Sequence, residues 1–239
     1  MRLRLFVILS LSSALCLASP FDGFPCDQII DKNVFSVCYS YDAKAPLSVA
    51  YTLDGALVYA GNIEKRPSFY SEKNIPVRYR SKSQDFTRSG YDRGHLAPDA
   101  SFDWSEGTLR KTYTMANVVP MVPVVNQKTW LKAEKLERSA AHKHGTVDVI
   151  NGVIYSRDGA VGPVDDDILR IGKNGVAVPY AFWKKISSPA EGWERCFLYT
   201  NEQVDPRDDR LRDHEVPCEY VTPGGSRPHS SSPAKRGEP

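Results

Sequence analysis

The chain has 239 residues, of which 41% are hydrophobic and 10% aromatic, so it can form the core of one ordinary domain or two small ones. Its formal net charge is +2. Two basic residues, Arg2 and Arg4, lie in an N-terminal segment that we expect to be removed, which leaves 29 basic residues against 29 acidic ones. Net charge therefore does not attract an acidic polymer, and any such attraction must come from local patches.

Residues 1–19 have the pattern of a secretory signal peptide. Arg2 and Arg4 form a basic start, Leu5 to Leu17 is apolar, and Ala18 ends a small-residue cleavage site. The apolar run is too short to cross a bilayer comfortably, and an uncleaved anchor is the alternative. No later stretch has the length and apolarity of a membrane span. We therefore expect a secreted or periplasmic protein.

The cysteines agree with export. Removal of the signal leaves four of them, Cys26, Cys38, Cys196 and Cys218, an even number suited to an oxidising compartment. Four cysteines allow three connectivities. We favour Cys26–Cys38 and Cys196–Cys218, because each pair closes a short loop near one end of the chain. Four free buried thiols are the alternative.

The first third of the mature chain is rich in β-forming residues. It predicts the strands of a meander at Val34 to Tyr39, Leu47 to Leu53 and Ala56 to Ala60, with a turn at Asp54-Gly55. Residues 61–90 are polar and interrupted by proline and glycine, which predicts a long surface segment. Segments of this kind in compact domains often carry function.

The remaining elements mix helix and strand. The sequence predicts a buried strand at Thr112 to Val119, a helix at Asn126 to His144 that stops at Gly145, and strands at Val147 to Tyr155, Val176 to Ile186 and Cys196 to Thr200. Residues 222–239 lack periodicity and predict a disordered tail. No boundary appears between these limits, so we expect one domain at 20–221. Grouped strands favour an α+β fold with a mainly antiparallel sheet flanked by helices.

One short motif combines residue types that phosphodiester hydrolysis needs. In Asp92-Arg93-Gly94-His95, the planar fork of Arg93 suits a phosphate oxygen, and His95 can take a proton from water near neutral pH. Gly94 permits a close approach of the backbone. Thirty-one residues after His95, Asn126 supplies a hard amide oxygen that Mg²⁺ tolerates.

The predicted helix carries a second set of polar residues. Asn126, Trp130, Glu134 and Arg138 follow one another at steps of four, which places them on one slanting stripe. An amide, a carboxylate and a guanidinium on this stripe can ligate a metal, orient its waters and bind a phosphate. The alternative is an ordinary amphipathic helix with a Glu134–Arg138 pair on a solvated face.

Four motifs together resemble a known family, the DNA/RNA non-specific endonucleases, which are endonuclease G-like ββα-metal (His-Me finger) nucleases. They are Asp92-Arg93-Gly94-His95, Asn117-Val118-Val119-Pro120, Asn126-Gln127 with Trp130, Glu134 and Arg138, and Val176-Ala177-Val178-Pro179 with Phe182-Trp183-Lys184. The resemblance covers most of residues 35–205. One departure is Met121, where the family usually has glutamine, and it affects the local support of the site.

The resemblance implies a ββα-metal nuclease fold and a role for each matched residue. By resemblance, His95 is the general base. Asn126 is the sole direct protein ligand of a hydrated Mg²⁺, for which Mn²⁺ can substitute, and Glu134 holds water of the metal's hydration shell. Arg93 and Arg138 face phosphate, Arg66 is a further phosphate-binding arginine, and Asn117 supports the site. The absence of a His/Cys cluster with ligand spacing disfavours zinc.

These features predict a secreted, Mg²⁺-dependent endonuclease that hydrolyses DNA and RNA. Residues 64–93 hold eight Lys and Arg against four acids, which suits contacts to phosphates without reading sequence. Two alternatives remain open. One is a hydrolase of small phosphodiesters, and the other is a secreted nucleic-acid-binding protein with a degenerate site, for which Met121 is the only hint. Oligomeric state is not readable from the sequence.

Overall fold

The computed structural model describes residues 19–223. The strands of this part are β1 (Gln28–Asp31), β2 (Ser36–Ser40), β3 (Ala45–Asp54), β4 (Asp92–His95), β5 (Val118–Met121), β6 (Thr146–Ile154), β7 (Arg170–Ile171), β8 (Val176–Ala177), β9 (Ala181–Ser188), β10 (Trp193–Thr200) and β11 (Glu215–Val216). The α-helices are α1 (Glu106–Thr112) and α2 (Trp130–His144). Seven strands form one antiparallel sheet in the order β1-β2-β3-β6-β9-β10-β11.

The centre of the sheet is covered on both faces. The first seven residues of β3 are all buried, as expected of a strand that contacts packed layers on either side. Helix α2 packs across β3, β6 and β9. Along β9, Phe182 and Ile186 join the large core on the helix side, whereas Ala181 and Trp183 join a smaller core on the opposite face.

A separate two-stranded sheet lies beside this core. It pairs β4 with β5, in the register Asp92 to Met121 and His95 to Val118. Strand β5 also contacts β3 and β8, which anchors the pair against the main sheet. The motif Asp92-Arg93-Gly94-His95 is thus a strand, an element that the sequence did not predict because its residues are polar and do not alternate with apolar ones.

Both favoured disulfides are present. Cys26 is bonded to Cys38 and Cys196 to Cys218, each with a Cα–Cα distance of 5.1 Å. The first fastens the N-terminal segment to β2, and the second fastens the last turn of the described chain to β10. Loops of this length give a disulfide a stabilisation of about 3 kcal/mol through the unfolded chain.

Most predicted elements are found, but the strand predicted at Ala56 to Ala60 is wrong. These residues form turns, because Asp54 accepts three hydrogen bonds from the backbone that follows it. Its side chain accepts from the N–H of Ala56, and its carbonyl accepts from the N–H groups of Leu57 and Val58. The chain also approaches helix α2 closely here. A β-carbon built on Gly55 would lie 2.2 Å from the carbonyl oxygen of Ala141.

Two further strand predictions had wrong limits. Thr112 ends helix α1, and a 3₁₀ turn at Met115–Asn117 comes before β5, so only the end of the predicted segment at Thr112 to Val119 is extended. Short polar side chains cause this, since Ser105 caps α1 and Thr114 caps the turn. The segment at Val176 to Ile186 is split into β8 and β9 around Pro179, which has no N–H to donate.

The ends of the chain are described only in part. Residues 1–18 of the predicted signal and 224–239 of the predicted tail lie outside the described residues. Thr222 and Pro223 are half-buried, and Pro223 lies close to Gly23. Within residues 19–223, no helix combines the length and apolarity needed to cross a bilayer.

Candidate active site

Glycine makes the strand pair that carries the motif possible. A β-carbon built on Gly94 would lie 2.7 Å from the β-carbon of Met121, whose side chain is fully buried. Met121, at the position where the resemblance leads one to expect glutamine, therefore fills the space above Gly94 with an apolar side chain. It supports the strand by packing rather than by a hydrogen bond.

His95, at the end of β4, sits against aromatic rings. Its ring centroid lies 5.2 Å from that of Phe69 and 4.9 Å from that of Tyr113. The side chain is half-buried, and Nε2 is buried with no hydrogen-bond partner in the described chain, so Nδ1 is the nitrogen that remains accessible. Burial lowers the pKa of His95, the charge of Asp99 opposes this, and the charge of Arg66 adds to it. The imidazole is thus neutral at pH 7, the form that accepts a proton.

Asp99 and Arg66 form an ion pair beside this histidine. Nε of Arg66 lies 3.4 Å from Oδ2 of Asp99, and its two terminal nitrogens lie 3.3 Å from Oδ2 of Asp103. The hydroxyl of Tyr113 donates to Oδ2 of Asp99 at 2.7 Å. The structure thus brings Arg66 from the long 61–90 segment to the motif histidine, and it adds Asp99, which the sequence did not indicate.

Asn126 lies on a π-helical turn, Val125–Thr129, that precedes α2. Such turns are rare and recur at functional sites. Its side-chain nitrogen donates to Oδ2 of Asp92 at 3.0 Å, and Nε2 of Gln127 donates to the same oxygen at 2.8 Å. Because a carboxylate only accepts, the amide nitrogen must face Asp92 and the amide oxygen must face away. Among the described residues, none donates a hydrogen bond to that oxygen.

The four residues predicted to share one helical stripe do not all face the site. Trp130 is fully buried against Phe182 and Tyr199, so it belongs to the core rather than to the site. Glu134 is half-buried, and Arg138 is only 8% exposed. The alternative of a Glu134–Arg138 pair on a solvated face does not hold, because Arg138 is buried and donates to Ser101 rather than to Glu134.

Glu134 has a strongly perturbed pKa. Burial raises it to about 7; Lys184 and Arg138 oppose the shift, whereas Glu137 and Asp99 add to it. The charge of Asp99 therefore raises the pKa of both Glu134 and His95. A divalent cation at this carboxyl would favour its ionised form.

A buried polar network lies beneath these residues. Glu137 and Lys184 are both fully buried and form an ion pair between α2 and β9. Glu137 also accepts from the hydroxyls of Tyr51 and Ser101, at 3.0 and 2.8 Å. Ser101 in turn accepts from Arg138 at 3.3 Å. The network therefore fixes the helix turn that carries Glu134 and Arg138 against the sheet.

The segment that follows His95 is held by two buried asparagines. Asn117 accepts from the N–H of Ala97 at 2.8 Å and donates to the carbonyl of Ala97 at 2.9 Å. Asn151 donates to the carbonyl of Leu96 and, at 2.8 Å, to the hydroxyl of Tyr51. Asn117 thus contacts the backbone that follows His95, and its expected role in supporting the site stays a prediction. Asn151 was not predicted.

Arg93 is partly engaged by the protein. Its Nε and one terminal nitrogen donate to the side chain and carbonyl of Ser83, at 2.9 and 2.7 Å. Its guanidinium also lies over the rings of Phe69 and Phe86, at 5.8 and 5.6 Å from their centroids. The contacts to Ser83 and the two rings orient the guanidinium. No hydrogen bond from its other terminal nitrogen is found within residues 19–223, so that edge can take a ligand.

The described residues fit a hydrated magnesium ion better than a caged metal. Residues 19–223 contain no group of three or more His, Cys, Asp or Glu side chains that could hold a metal ion. They do present the free amide oxygen of Asn126 and the carboxyl of Glu134, which are hard oxygen donors. Mg²⁺ keeps several waters and needs few protein ligands, so this donor set suits it.

The family model described as DNA/RNA non-specific endonuclease matches residues 13–222. The chain belongs to this family. Human endonuclease G (Homo sapiens, mitochondrial) is 30% identical over 182 residues, which are 74% of this chain and 61% of that protein. A mitochondrial nuclease of Saccharomyces cerevisiae is 28% identical over 219 residues, 83% of this chain and 65% of the relative.

A solved structure, the EndoG/EndoGI complex, matches with a TM-score of 0.73 and 26% identity, over 84% of this chain and 85% of that one. The expected ββα-metal nuclease fold is confirmed, as is the family resemblance. The chain spans about 61% of the length of human and bovine endonuclease G.

Proposed function

We propose that this member of the family is a secreted, Mg²⁺-dependent endonuclease that hydrolyses phosphodiester bonds in DNA and RNA. The observation that carries the proposal is the orientation of Asn126. Asp92, in the same strand as His95, binds the amide nitrogen and leaves the oxygen free for a cation. A neutral, accessible base and a cation-facing oxygen on adjoining elements are what metal-assisted hydrolysis requires.

His95 acts as the general base. Its accessible nitrogen takes a proton from a water molecule as the water oxygen bonds to phosphorus. The bond from phosphorus to the 3′ oxygen then breaks, which leaves a 5′-phosphate on one product and a 3′-hydroxyl on the other once the leaving oxygen gains a proton from solvent. Phe69 and Tyr113 keep the imidazole neutral and in place for this transfer.

Asn126 and Glu134 would hold the cation, Asn126 directly and Glu134 through water. When bound, Mg²⁺ or Mn²⁺ supplies positive charge that stabilises the negative charge developing on the phosphate and the leaving oxygen. Asp92 orients Asn126, and the network around Glu137 positions Glu134. These residues have positioning roles.

Arginines supply the contacts to substrate phosphate. Arg66 stands beside His95, and Arg93 offers one edge of its fork. Arg138 is almost covered, so we propose that it acts through its charge beneath the site. Contacts to phosphate do not distinguish sequences and, without a contact to the 2′ position, do not distinguish DNA from RNA.

The test is a digestion of plasmid DNA and total RNA by purified residues 20–239. Wild type is expected to cut both polymers with Mg²⁺ and neither with EDTA. Asn126→Ala is expected to lose most of this activity and to bind Mg²⁺ more weakly in titration calorimetry, because the free amide oxygen is gone. Unchanged metal affinity in the folded variant would remove Asn126 from the metal site, and metal-independent cleavage would reject the proposed mechanism.

The acid limb of the pH profile should follow His95. Its neutral form is active, so kcat/KM falls as the pH drops through its pKa, which burial places below the ordinary value of about 6.5. Asp99→Asn should move this limb to lower pH, since the carboxylate raises the pKa. Arg66→Gln should move it to higher pH. If the acid limbs of these two variants do not move in opposite directions, His95 is not the titrating base.

We also propose that residues 1–19 are a cleaved export signal and that residues 20–221 form one nuclease domain. The two disulfides support an oxidising compartment. The curated relatives reported above are described as mitochondrial. N-terminal sequencing of protein recovered from the medium or periplasm checks the signal, and a first residue of Met1 would reject cleavage.

A further inference from the structure

A small pocket lies next to the proposed active site, between the segment before Pro67 and helix α1. Its apolar lining is Ile63, Pro67 and Leu109, and its volume is about 270 Å³. This is slightly below the range of sites that enclose a whole drug-sized ligand, roughly 300–1,000 Å³. The pocket therefore suits a fragment of a larger molecule.

The charged lining of this pocket is mainly basic. Lys65, Arg66 and Arg110 line it together with one acid, Glu106. Arg66 pairs with Asp99 and Asp103. Lys65 and Arg110 are exposed, and neither forms an ion pair within residues 19–223. Two cations that have no ion-pair partner in this range, beside apolar side chains, suit an anion that is attached to a less polar group.

The position of the pocket links it to catalysis. Arg66 lines the pocket and pairs with Asp99. Asp99 accepts from the hydroxyl of Tyr113, whose ring packs on His95. Arg110 lies over the ring of Tyr70, 5.0 Å from its centroid. The backbone N–H of Tyr70 donates to the carbonyl of Tyr113, the residue that packs on His95. A short series of contacts through Tyr70 and Tyr113 therefore connects Arg110 to the ring that packs on His95.

We propose that this pocket is a subsite for the sugar and phosphate of a nucleotide that neighbours the cleaved bond. The phosphate would contact Lys65 and Arg110, and the sugar would lie against Ile63, Pro67 and Leu109. This inference rests on the proposed nuclease function and deepens it, because the enzyme would grip a polynucleotide beyond the phosphate that it cleaves.

The experiment measures binding without cleavage. Arg110→Gln and Lys65→Gln are each combined with His95→Ala, and the binding of a fluorescent 12-nucleotide single-stranded DNA is followed by anisotropy with Mg²⁺ at several salt concentrations. Each substitution is expected to weaken binding several-fold and to reduce the slope of log affinity against log salt by about 0.7, the value for one phosphate contact on a single strand. In the His95-containing enzyme, each should raise KM for this oligonucleotide with little change in kcat.

Lys185→Gln is the matched control. Lys185 follows Lys184, which points to α2, so it projects from the opposite face of the sheet, where it pairs with Glu194. The substitution removes one half-buried positive charge and should leave affinity, slope and KM unchanged. The subsite would be overturned if both pocket variants bound the oligonucleotide with the affinity and salt slope of the wild type. It would also be overturned if the control lost as much affinity as the pocket variants. Failure of the proposed function looks different, because wild type itself would then cleave neither polymer.

Discussion

Replacing His95 with alanine is expected to lower kcat for DNA and RNA cleavage by about 10²- to 10⁴-fold, the usual contribution of a positioned general base. The reason is that His95 combines an accessible ring nitrogen with a pKa held below its ordinary value by burial against Phe69 and Tyr113. Single-turnover cleavage of a labelled duplex measures the loss directly.

A matched histidine separates this role from a general effect of substitution. His142 is exposed on α2 beside Tyr59, and His142→Ala should retain wild-type turnover. Added imidazole should restore part of the activity of the His95 variant if the lost group is a base. A folded His95→Ala protein with near-normal turnover would show that His95 is not the general base.

Replacing Lys184 with alanine is expected to destabilise the protein by about 3–5 kcal/mol, because it leaves the carboxylate of Glu137 buried without its partner. For a domain of this size, the loss corresponds to a fall in Tm of about 6–20 °C. Urea unfolding with intact disulfides measures the free energy. Lys184 also lies over the ring of Trp130, 4.9 Å from its centroid, so the packing of the core changes with it.

Removing both charges should undo much of this damage. Glu137→Gln combined with Lys184→Met leaves no unpaired buried charge, and the glutamine can still accept from Tyr51 and Ser101. The double-mutant cycle should therefore show strong coupling between the two positions. If Lys184→Ala costs less than about 1 kcal/mol, the range for an exposed pair, the ion pair is not what holds α2 to β9.

Local sequence signals predicted the elements that depend on neighbouring residues. Helix α2 ends at His144, directly before Gly145 with its φ of 80°, and β3 contains the β-rich run predicted as a strand at Leu47 to Leu53. Strand β4 was missed because its pairing with β5 creates it, and Ala56 to Ala60 was mistaken for a strand because Asp54 organises a turn there. In both cases, a contact that the sequence pattern does not show decided the conformation.

The site divides in the same way. The motifs pointed to His95 and Asn126 as base and metal ligand, and these assignments stay predictions until tested. Asp92, Asp99 and Asn151 were not identified, because an isolated acid or amide gives no sign of which group it will orient.

By itself, the sequence determined the family, the α+β class and the residue types available for chemistry, since these follow from motif identity and composition. The tertiary structure alone decided the environment of each group. Burial against Phe69 and Tyr113 sets the pKa of His95, and a π turn with Asp92 sets the direction of Asn126. Desolvation and orientation depend on which distant segments pack together, and a linear pattern does not contain that information.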